Sequence, residues 1–190
     1  MISPHGGNLV NRLAEGDARE ALLAKAAGLP KVTLNSREAS DLEMIAVGAM
    51  SPLEGFMNEA DYNGVVDNMH LASGVAWPLP VVLSPKAGEN VSVGDEVALM
   101  AENGAVYGTM TVDSVYTPDK KKELEKCYLG DEEHPAWGYL ASIGDTYIGG
   151  SIQVANLPVY DKHNEYRMTP AETRASFAEK GWNTIVAFQT

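Results

Sequence analysis

Several features that would place a protein in a particular class are scarce in this sequence. It has a single cysteine, Cys127, which excludes an internal disulfide and favours a reducing compartment. No stretch approaches the ~20 consecutive apolar residues that a membrane-spanning helix needs, and the first residues lack the basic and apolar regions of a secretory signal. We therefore expect a cytoplasmic protein with no membrane partner.

Basic residues are also few. Lysine and arginine together number 14, against 26 aspartates and glutamates, and the formal net charge is −12. Proteins bind nucleic acids and anionic membranes through lysines and arginines that neutralise phosphate, so we expect no nucleic-acid partner. A small anionic substrate is not excluded, because a local basic pocket can override the overall charge.

The longest basic run, Lys120–Lys122, is followed by Glu123 and Glu125. Residues four apart lie on the same side of a helix, where lysine and glutamate attract each other. The run therefore predicts a solvated helix face with ion pairs of this spacing, and not a binding patch.

Metal-ligating residues are too dispersed to predict a metal centre. No two histidines have the spacing of metal ligands, and Cys127 has no cysteine or histidine near it in the sequence. The histidines are His5, His70, His134 and His163. His134 lies in an acidic loop before Pro135, which favours an exposed loop residue over an acid–base group.

Two other stretches resemble functional loops. Gly144, Gly149 and Gly150 have the spacing of a phosphate-binding loop, but Gly150 stands where such a loop has lysine, and no helix pattern follows. A tight bend or a bulge is the better interpretation. The turn Ser51–Met57 combines a carboxylate, Glu54, with large apolar side chains, which we interpret as anchors in the core. These anchors are Leu53, Phe56 and Met57.

With 190 residues the chain can form one sizeable core and a short extension. Helix-start signals come first, at Asp17–Glu20, Ser40–Glu43 and Asn58. From Val75 to about Ala155 the pattern changes to short strands, and Asn103-Gly104 is a strong hairpin signal. The pattern alone predicts an α+β domain followed by the start of an α/β unit.

The last stretch begins as a helix. Thr169 and Glu172 form a capping box, and Gly181 supplies the left-handed residue that ends a helix. Between them, alanines recur at helical spacing and predict a narrow apolar stripe. These alanines are Ala171, Ala175 and Ala178.

The helix is followed by the apolar run 184–188, whose β-branched residues predict a strand buried on both faces. In open α/β sheets, ligands bind beyond the carboxyl ends of the strands. The next two residues, Gln189 and Thr190, are therefore candidate binding residues.

In these motifs the chain resembles ATP sulfurylase (sulfate adenylyltransferase). The run from Gly181 to Thr190 is similar to the start of that family's nucleotide-binding motif, in which Gln-Thr continues as Arg-Asn-Pro-x-His-x-x-His. The resemblance extends upstream through long and specific stretches: Pro4–Gly7, Ser40–Ala49, Ser51–Met57 and Thr169–Arg174. The arginine, the asparagine and both histidines of the family motif have no counterpart in this sequence.

The resemblance implies a fold and a division of the chain. Residues 1–163 would form a PUA-like, partly open β-barrel decorated by helices. Residues 164–190 would form a helix–strand fragment that begins a Rossmann-like α/β nucleotidyltransferase domain.

The resemblance also implies an activity. ATP, with Mg²⁺, and sulfate would give adenosine 5′-phosphosulfate and pyrophosphate. Gln189 would contact sulfate through its amide, and Thr190 would be both a sulfate-binding and a catalytic residue, since it begins the anion-holding loop. We expect the chain to be the N-terminal portion of such an enzyme, to be inactive alone and to belong to a homo-oligomer when complete.

A rival hypothesis makes the chain a non-catalytic module. In this case a PUA-like scaffold would pair with a separately encoded catalytic chain. Co-purification with a second polypeptide that carries the missing motif would favour this alternative.

Overall fold

A computed structural model describes residues 2–188. Its helices are α1 (Gly16–Ala26), α2 (Ser36–Ala46), α3 (Glu59–Asn68), α4 (Lys120–Cys127), α5 (Ala136–Ser142) and α6 (Pro170–Glu179), with a 3₁₀ turn at Asn164–Tyr166. Its strands are β1 (Lys31–Thr33), β2 (Gly55–Phe56), β3 (Glu96–Met100), β4 (Val106–Tyr116) and β5 (Tyr147–Val154). Among the described residues, no helix is both long and apolar enough to cross a bilayer.

The strands of the described chain form a five-stranded mixed sheet in the order β1-β3-β4-β5-β2. β1 runs parallel to β3, whereas the other neighbouring strands are antiparallel. The hairpin predicted at Asn103-Gly104 joins β3 to β4, and Gly104 adopts the positive φ, +86°, that favours glycine at such a turn. Helices and a sheet of this kind confirm the α+β class.

The glycine pair in β5 accommodates a close approach between strands. The pairing of β4 with β5 shifts register between Val112 and Ser114, opposite Gly149 and Gly150. A Cβ atom on Gly150 would lie 1.9 Å from the carbonyl oxygen of Thr111. The prediction of a bulge is therefore confirmed. The glycine pair packs against the backbone of the neighbouring strand and does not form a phosphate-binding loop.

The main hydrophobic core lies between the sheet and α2. Leu42 and Ile45 of α2 are fully buried, in the same cluster as Val32, Leu99 and Ile152 of the sheet. Residues spaced three to four apart on α2 thus meet alternate residues of the strands.

Two predicted helix starts are confirmed. Asn58 accepts a hydrogen bond of 2.9 Å from the backbone N–H of Asp61 and caps α3. Thr169 and Glu172 form the reciprocal capping box at the start of α6. Both motifs act within one turn of helix, so the local sequence is sufficient to predict them.

Two other predicted starts are wrong. α1 begins at Gly16 after Glu15, which makes no side-chain cap, so Asp17 and Glu20 are not a capping pair. The capping box of α2 is Asn35–Glu38, and the predicted box Ser40–Glu43 lies inside the helix. Asparagine is as good an N-cap as serine, and starting one turn earlier lets Glu38 bond to the loop that precedes β3.

Some short elements also differ from prediction. Residues 81–83 lie in the stretch predicted to form short strands, but among the described residues they make only an isolated bridge, from Leu83 to Ile148. Residues 136–142 form α5, a helix that the sequence pattern did not predict. A helix this short has too few turns for its periodicity to stand out from the surrounding residues.

The terminal helix, α6, presents an unexpected face to the rest of the molecule. The predicted stripe of Ala171, Ala175 and Ala178 is exposed to solvent. The residues that turn toward the body are partly buried and include Thr173, Arg174 and Phe177. Alanines at helical spacing were therefore a misleading signal, because larger side chains on the opposite face make the contacts.

The predicted strand 184–188 is not formed in the described structure. Val186 and Phe188 are 97% and 87% exposed. A strand buried on both faces needs neighbouring strands for its hydrogen bonds and helices for its side chains, and the part of the chain that the structure describes places neither beside this run.

Candidate functional site

A groove of about 880 Å³ separates α6 and the residues around it from α2. One wall is formed by α2 and by the residues that follow β5, including Glu43, Met44 and Leu157. The other wall is formed by α6 and its flanks, including Phe177 and Trp182. The groove therefore lies between the β-rich body, which contains the sheet and α2, and the terminal segment, residues 164–188.

The groove is largely apolar and open to solvent. Large apolar side chains along it are 40% or more exposed: Ile2, Met44, Tyr166, Met168, Trp182 and Ile185. Monomeric proteins rarely leave a contiguous apolar surface of this kind uncovered. The exposed apolar side chains of the groove suit contact with another protein surface. A site for a small anion would be lined mainly by hydrogen-bond donors.

Polar groups cross the groove at one end. Glu43 of α2 accepts a hydrogen bond from the Tyr160 hydroxyl through Oε2 and one of 3.4 Å from Arg167 Nη1 through Oε1. The guanidinium of Arg167 lies 3.3 Å from the centre of the Tyr160 ring. Arg174 of α6 donates to the backbone oxygen of Ile2 over 2.8 Å.

The predicted site residues, Gln189 and Thr190, lie outside the described residues. The exposed run 184–188 directly precedes them in the sequence. Ile185 of this run and the nearby Trp182 line the groove. The groove is therefore the described surface from which the candidate binding residues follow in the sequence.

His134 is the exposed loop residue that the sequence predicted. Its ring packs against Tyr128 in a tilted arrangement with the centroids 4.9 Å apart, and its Nδ1 accepts a hydrogen bond of 3.1 Å from the backbone N–H of Ala136. Both contacts organise the turn into α5. No group of three or more His, Cys, Asp or Glu residues within 2–188 is arranged to hold a metal ion.

The turn Ser51–Met57 is a structural element, as predicted. Leu53, Phe56 and Met57 are buried in the main core. Glu54 is exposed, and its carboxylate pairs with Arg12 at 3.2 Å. The turn is thus held by its apolar side chains, and its carboxylate is already occupied by a neighbouring guanidinium.

Sequence reasoning missed a buried carboxylate between α3 and α4. Glu123, expected on a solvated face, is buried, and its Oε2 accepts a hydrogen bond of 3.0 Å from Tyr62. Burial raises the pKa of Glu123, although the bond from Tyr62 opposes the rise. Lys121 and Glu125 do form the predicted exposed pair, at 3.8 Å, so only one face of α4 was predicted correctly.

Tyrosines surround this carboxylate. Tyr62, Tyr116 and Tyr147 pack with their ring centroids 5.4 to 5.9 Å apart. Burial raises the pKa of all three phenols, and the negative charge of Glu123 adds to the effect. Phenols in this state are hydrogen-bond donors and not bases. Tyr62 donates to the carboxylate of Glu123, whereas Tyr116 donates to the backbone oxygen of Met57.

A second buried carboxylate, Glu38, bonds to backbone N–H groups. Its Oε2 accepts from Asn35 at 2.8 Å and its Oε1 accepts from Ser84 at 3.1 Å. Burial raises its pKa and outweighs these bonds. The spacing from Asn35 to Glu38 is the sequence signal that could have identified this residue.

Beside these carboxylates, a cavity of about 10 Å³ is bounded by residues that include Arg37, Asp41 and Tyr139. Burial raises the pKa of Asp41 to about 6, against the influence of Arg37. A space of this size has room for a single water molecule. It is too small for a nucleotide, so the groove is the better candidate for a functional surface.

Two family models match consecutive parts of the chain. The PUA-like domain model matches residues 2–157, and the ATP-sulfurylase model matches residues 164–190. The second match begins at the 3₁₀ turn and includes the wall of the groove formed by α6.

Curated proteins are similar over the whole of this chain. The sulfate adenylyltransferase of Symbiobacterium thermophilum is 47% identical over 193 residues, which are 100% of this chain and 49% of that protein. The one from Desulforamulus reducens is 45% identical over 195 residues, with coverage of 100% and 50%. The chain thus spans about half the length of these relatives.

A longer relative and a solved structure agree. The "probable bifunctional SAT/APS kinase 2" of Sorangium cellulosum is 46% identical over 193 residues, 100% of this chain and 33% of that protein. The structure titled hexameric APS kinase from Thiobacillus denitrificans superimposes with a TM-score of 0.74 and 30% identity, over 95% of this chain and 32% of that one.

Proposed function

Because the chain belongs to the PUA-like domain family over residues 2–157 and continues into a segment that matches ATP sulfurylase, we propose that it is the N-terminal portion of a sulfate adenylyltransferase. The complete enzyme would convert ATP and sulfate to adenosine 5′-phosphosulfate and pyrophosphate. The observation that carries the proposal is the similarity over the whole chain to proteins of that name. The family predicted from the sequence motifs and the PUA-like fold are both confirmed.

The proposed division places residues 1–163 in the PUA-like domain and residues 164–190 at the start of the nucleotidyltransferase domain. The main hydrophobic core supports this division, because its buried members all lie between Val32 and Val154. α6 has no buried residue. The helix thus depends little on the core of the β-rich body.

The groove then has a specific role in the complete enzyme. The rest of the nucleotidyltransferase domain would continue from Thr190 and pack on the exposed apolar side chains of α6 and α2. The run 184–188 would gain neighbouring strands there and become the buried strand that its composition predicts. In this arrangement the PUA-like domain is a platform and the groove is an internal domain interface.

The residues at the end of the run would then start the anion site. The Gln189 amide can donate to a sulfate oxygen without adding net charge. Thr190 would begin the loop that holds the anions and would act as a catalytic residue by helping to align them. Attack of a sulfate oxygen on the α-phosphorus needs no protein nucleophile, so positioning and electrostatic stabilisation supply the rate enhancement.

Mg²⁺ would enter this reaction bound to ATP. The described residues, 2–188, offer no set of three carboxylates, histidines or cysteines that fits a metal. We therefore place the groups that contact MgATP outside the described part of the chain and assign no step here to the ion.

We also propose a cytoplasmic homo-oligomer. The single cysteine supports a reducing compartment, and the similar solved structure is that of a hexameric APS kinase. Size-exclusion chromatography with light scattering on the complete enzyme would test the oligomer.

A pyrophosphate-release assay tests the activity. We expect the 190-residue chain alone to release none from MgATP and sulfate, under conditions in which the Symbiobacterium thermophilum enzyme turns over. Fusing to Thr190 the part of that enzyme beyond the matched region should restore turnover, and Gln189→Ala in the fusion should reduce it far more than Gln153→Ala, a change at an exposed residue of β5. Turnover by the unfused chain would overturn the proposed division of labour.

The rival role, a scaffold that pairs with a separate catalytic chain, has one observation in its favour. The core of the β-rich body is complete without α6, so this body has the means to fold as an independent unit. Affinity purification of the chain from its own cells distinguishes the two hypotheses. Recovery of a distinct polypeptide that carries the Arg-Asn-Pro-x-His-x-x-His motif would favour the scaffold.

A further inference from the structure

The segment between β5 and α6 has few apolar contacts to hold it. Residues 161–168 are all exposed, and α6 contributes no buried residue. A segment with so little buried apolar surface is expected to open easily. Its position against α2 therefore depends on a small number of specific contacts.

Three side chains supply the most concentrated set of these contacts. Glu43 of α2 uses one carboxylate oxygen for the Tyr160 hydroxyl and the other for Arg167 Nη1, at 3.4 Å. Arg167 also lies face-on to the Tyr160 ring, 3.3 Å from its centre. Each member thus touches the other two, and the negative and positive charges are matched.

The chain between Tyr160 and Arg167 is closed into a compact loop. Asn164 Nδ2 donates to the backbone oxygen of Tyr160 over 2.7 Å, and the backbone N–H of Tyr166 donates to the backbone oxygen of His163 over 3.1 Å. The loop brings Tyr160 and Arg167 together on the same carboxylate. Glu43 lies on α2, whereas Tyr160 and Arg167 lie at the two ends of this loop.

We propose that Glu43, Tyr160 and Arg167 form a clasp that fixes the terminal segment, residues 164–188, against α2 and sets the width of the groove. Glu43 is partly buried, with 17% of its side chain exposed, while Arg167 is 47% exposed. The carboxylate is therefore the anchored partner, and the loop is the part that can be released. This clasp stands whether or not the proposed function is correct.

The second contact between α6 and the body has a different character. Arg174 donates to a backbone oxygen, that of Ile2, near the start of the described chain. This bond involves no opposite charge. Loss of the carboxylate of Glu43 should therefore loosen the 160–168 loop without directly affecting the contact of Arg174.

Limited trypsin digestion of the folded chain tests the clasp. Cleavage after Arg167 requires its side chain to leave Glu43 and Tyr160. We expect Glu43→Gln to accelerate this cleavage about fivefold, as loss of one partly exposed charged pair would. Glu59→Gln, at the exposed start of α3, is the matched control and should change nothing.

A second variant keeps the test decisive. Tyr160→Phe removes only the hydroxyl, lies outside the core and should also accelerate cleavage after Arg167. The double variant should be slower than the two single effects multiplied together, because both substitutions weaken contacts of the same carboxylate. Tyr166→Phe, on an exposed ring, controls for the loss of a hydroxyl. The midpoint of urea unfolding should be the same for all these variants.

Hydrogen exchange gives an independent readout. Amides of residues 164–179 should exchange faster in Glu43→Gln, while those of β3 and β4 stay protected. Unchanged cleavage and exchange in both Glu43→Gln and Tyr160→Phe would overturn the clasp. Additive effects of the two substitutions would overturn it too, since they would mean that the residues act separately.

Discussion

The hydroxyl of Tyr62 on α3 donates a hydrogen bond of 3.0 Å to Oε2 of Glu123 on α4. Both side chains are buried, with 2% and 3% exposure. The bond joins two residues that are 61 positions apart in the chain and lie on different helices. It explains why an acidic residue can point inward from a helix on which Lys121, Glu125 and Lys126 face water.

We expect Tyr62→Phe to lower the free energy of unfolding by about 1–3 kcal/mol, because it leaves a buried acceptor without its donor. Burial raises the pKa of Glu123, and loss of the donor should raise that pKa further. The destabilisation should therefore be larger at pH 8 than at pH 5, where more of the carboxyl is protonated. Urea unfolding at both pH values measures this, with exposed Tyr166→Phe as the control. An equal loss at both pH values would contradict the ionic role of the pair.

Gly55 lies close to the backbone of Gly150 where β2 pairs with β5, in a register that places Gly55 opposite Ser151. A Cβ atom on Gly55 would lie 1.8 Å from the carbonyl oxygen of Gly150, a backbone atom that cannot rotate away. We expect Gly55→Ala to destabilise the protein by about 2–3 kcal/mol through this clash. Thermal or urea unfolding measures the change.

Gly138 provides the matched control for that substitution. It lies within α5, and a Cβ atom there would meet nothing within 4 Å. Gly138→Ala should stabilise the protein by about 0.5–1 kcal/mol, since alanine is the better helix former. Equal effects of the two substitutions would mean that the strands are less close than described.

Asp41 should make the folded protein less stable as the pH rises, which is opposite to the effect of an ion-paired aspartate. Burial raises its pKa from 3.8 to about 6 in the folded protein. The folded state therefore binds a proton between these values that the unfolded chain releases, so this contribution is greatest below about pH 4 and is lost as the pH rises through 6. The stability of the native protein relative to Asp41→Asn should fall from pH 4.5 to pH 7.5. Urea unfolding at the two pH values measures this difference. A constant difference between the native protein and Asp41→Asn would refute the prediction.

The run 184–188 should be poorly protected in the isolated chain. No sheet partner lies beside it among the described residues, and Val186 and Phe188 are almost fully exposed. In a dilute monomer its amides should exchange as fast as those of an unfolded peptide, whereas residues 97–100 of β3 should be slow. Slow exchange of Ile185 to Phe188 would show that the run has a partner that this structure does not include.

Local sequence determined much of the molecule. The cap at Asn58, the box at Thr169–Glu172 and the hairpin at Asn103-Gly104 were predicted correctly, because each depends on residues within a single turn. The apolar anchors of the turn Ser51–Met57 were also correct. The motifs identified the family for a similar reason, since they are contiguous and long. The candidate binding residues Gln189 and Thr190 remain predictions, because they lie outside the described residues.

Tertiary structure decided the rest. Whether Glu123 faces water or Tyr62, which side of α6 meets the body, and whether 184–188 becomes a strand all depend on residues far away in the chain. A carboxylate is buried only where distant donors converge on it, and an apolar run is a strand only where neighbouring strands accept its hydrogen bonds. Neither condition can be read from the residues concerned, because the partner that satisfies it is supplied by another part of the fold.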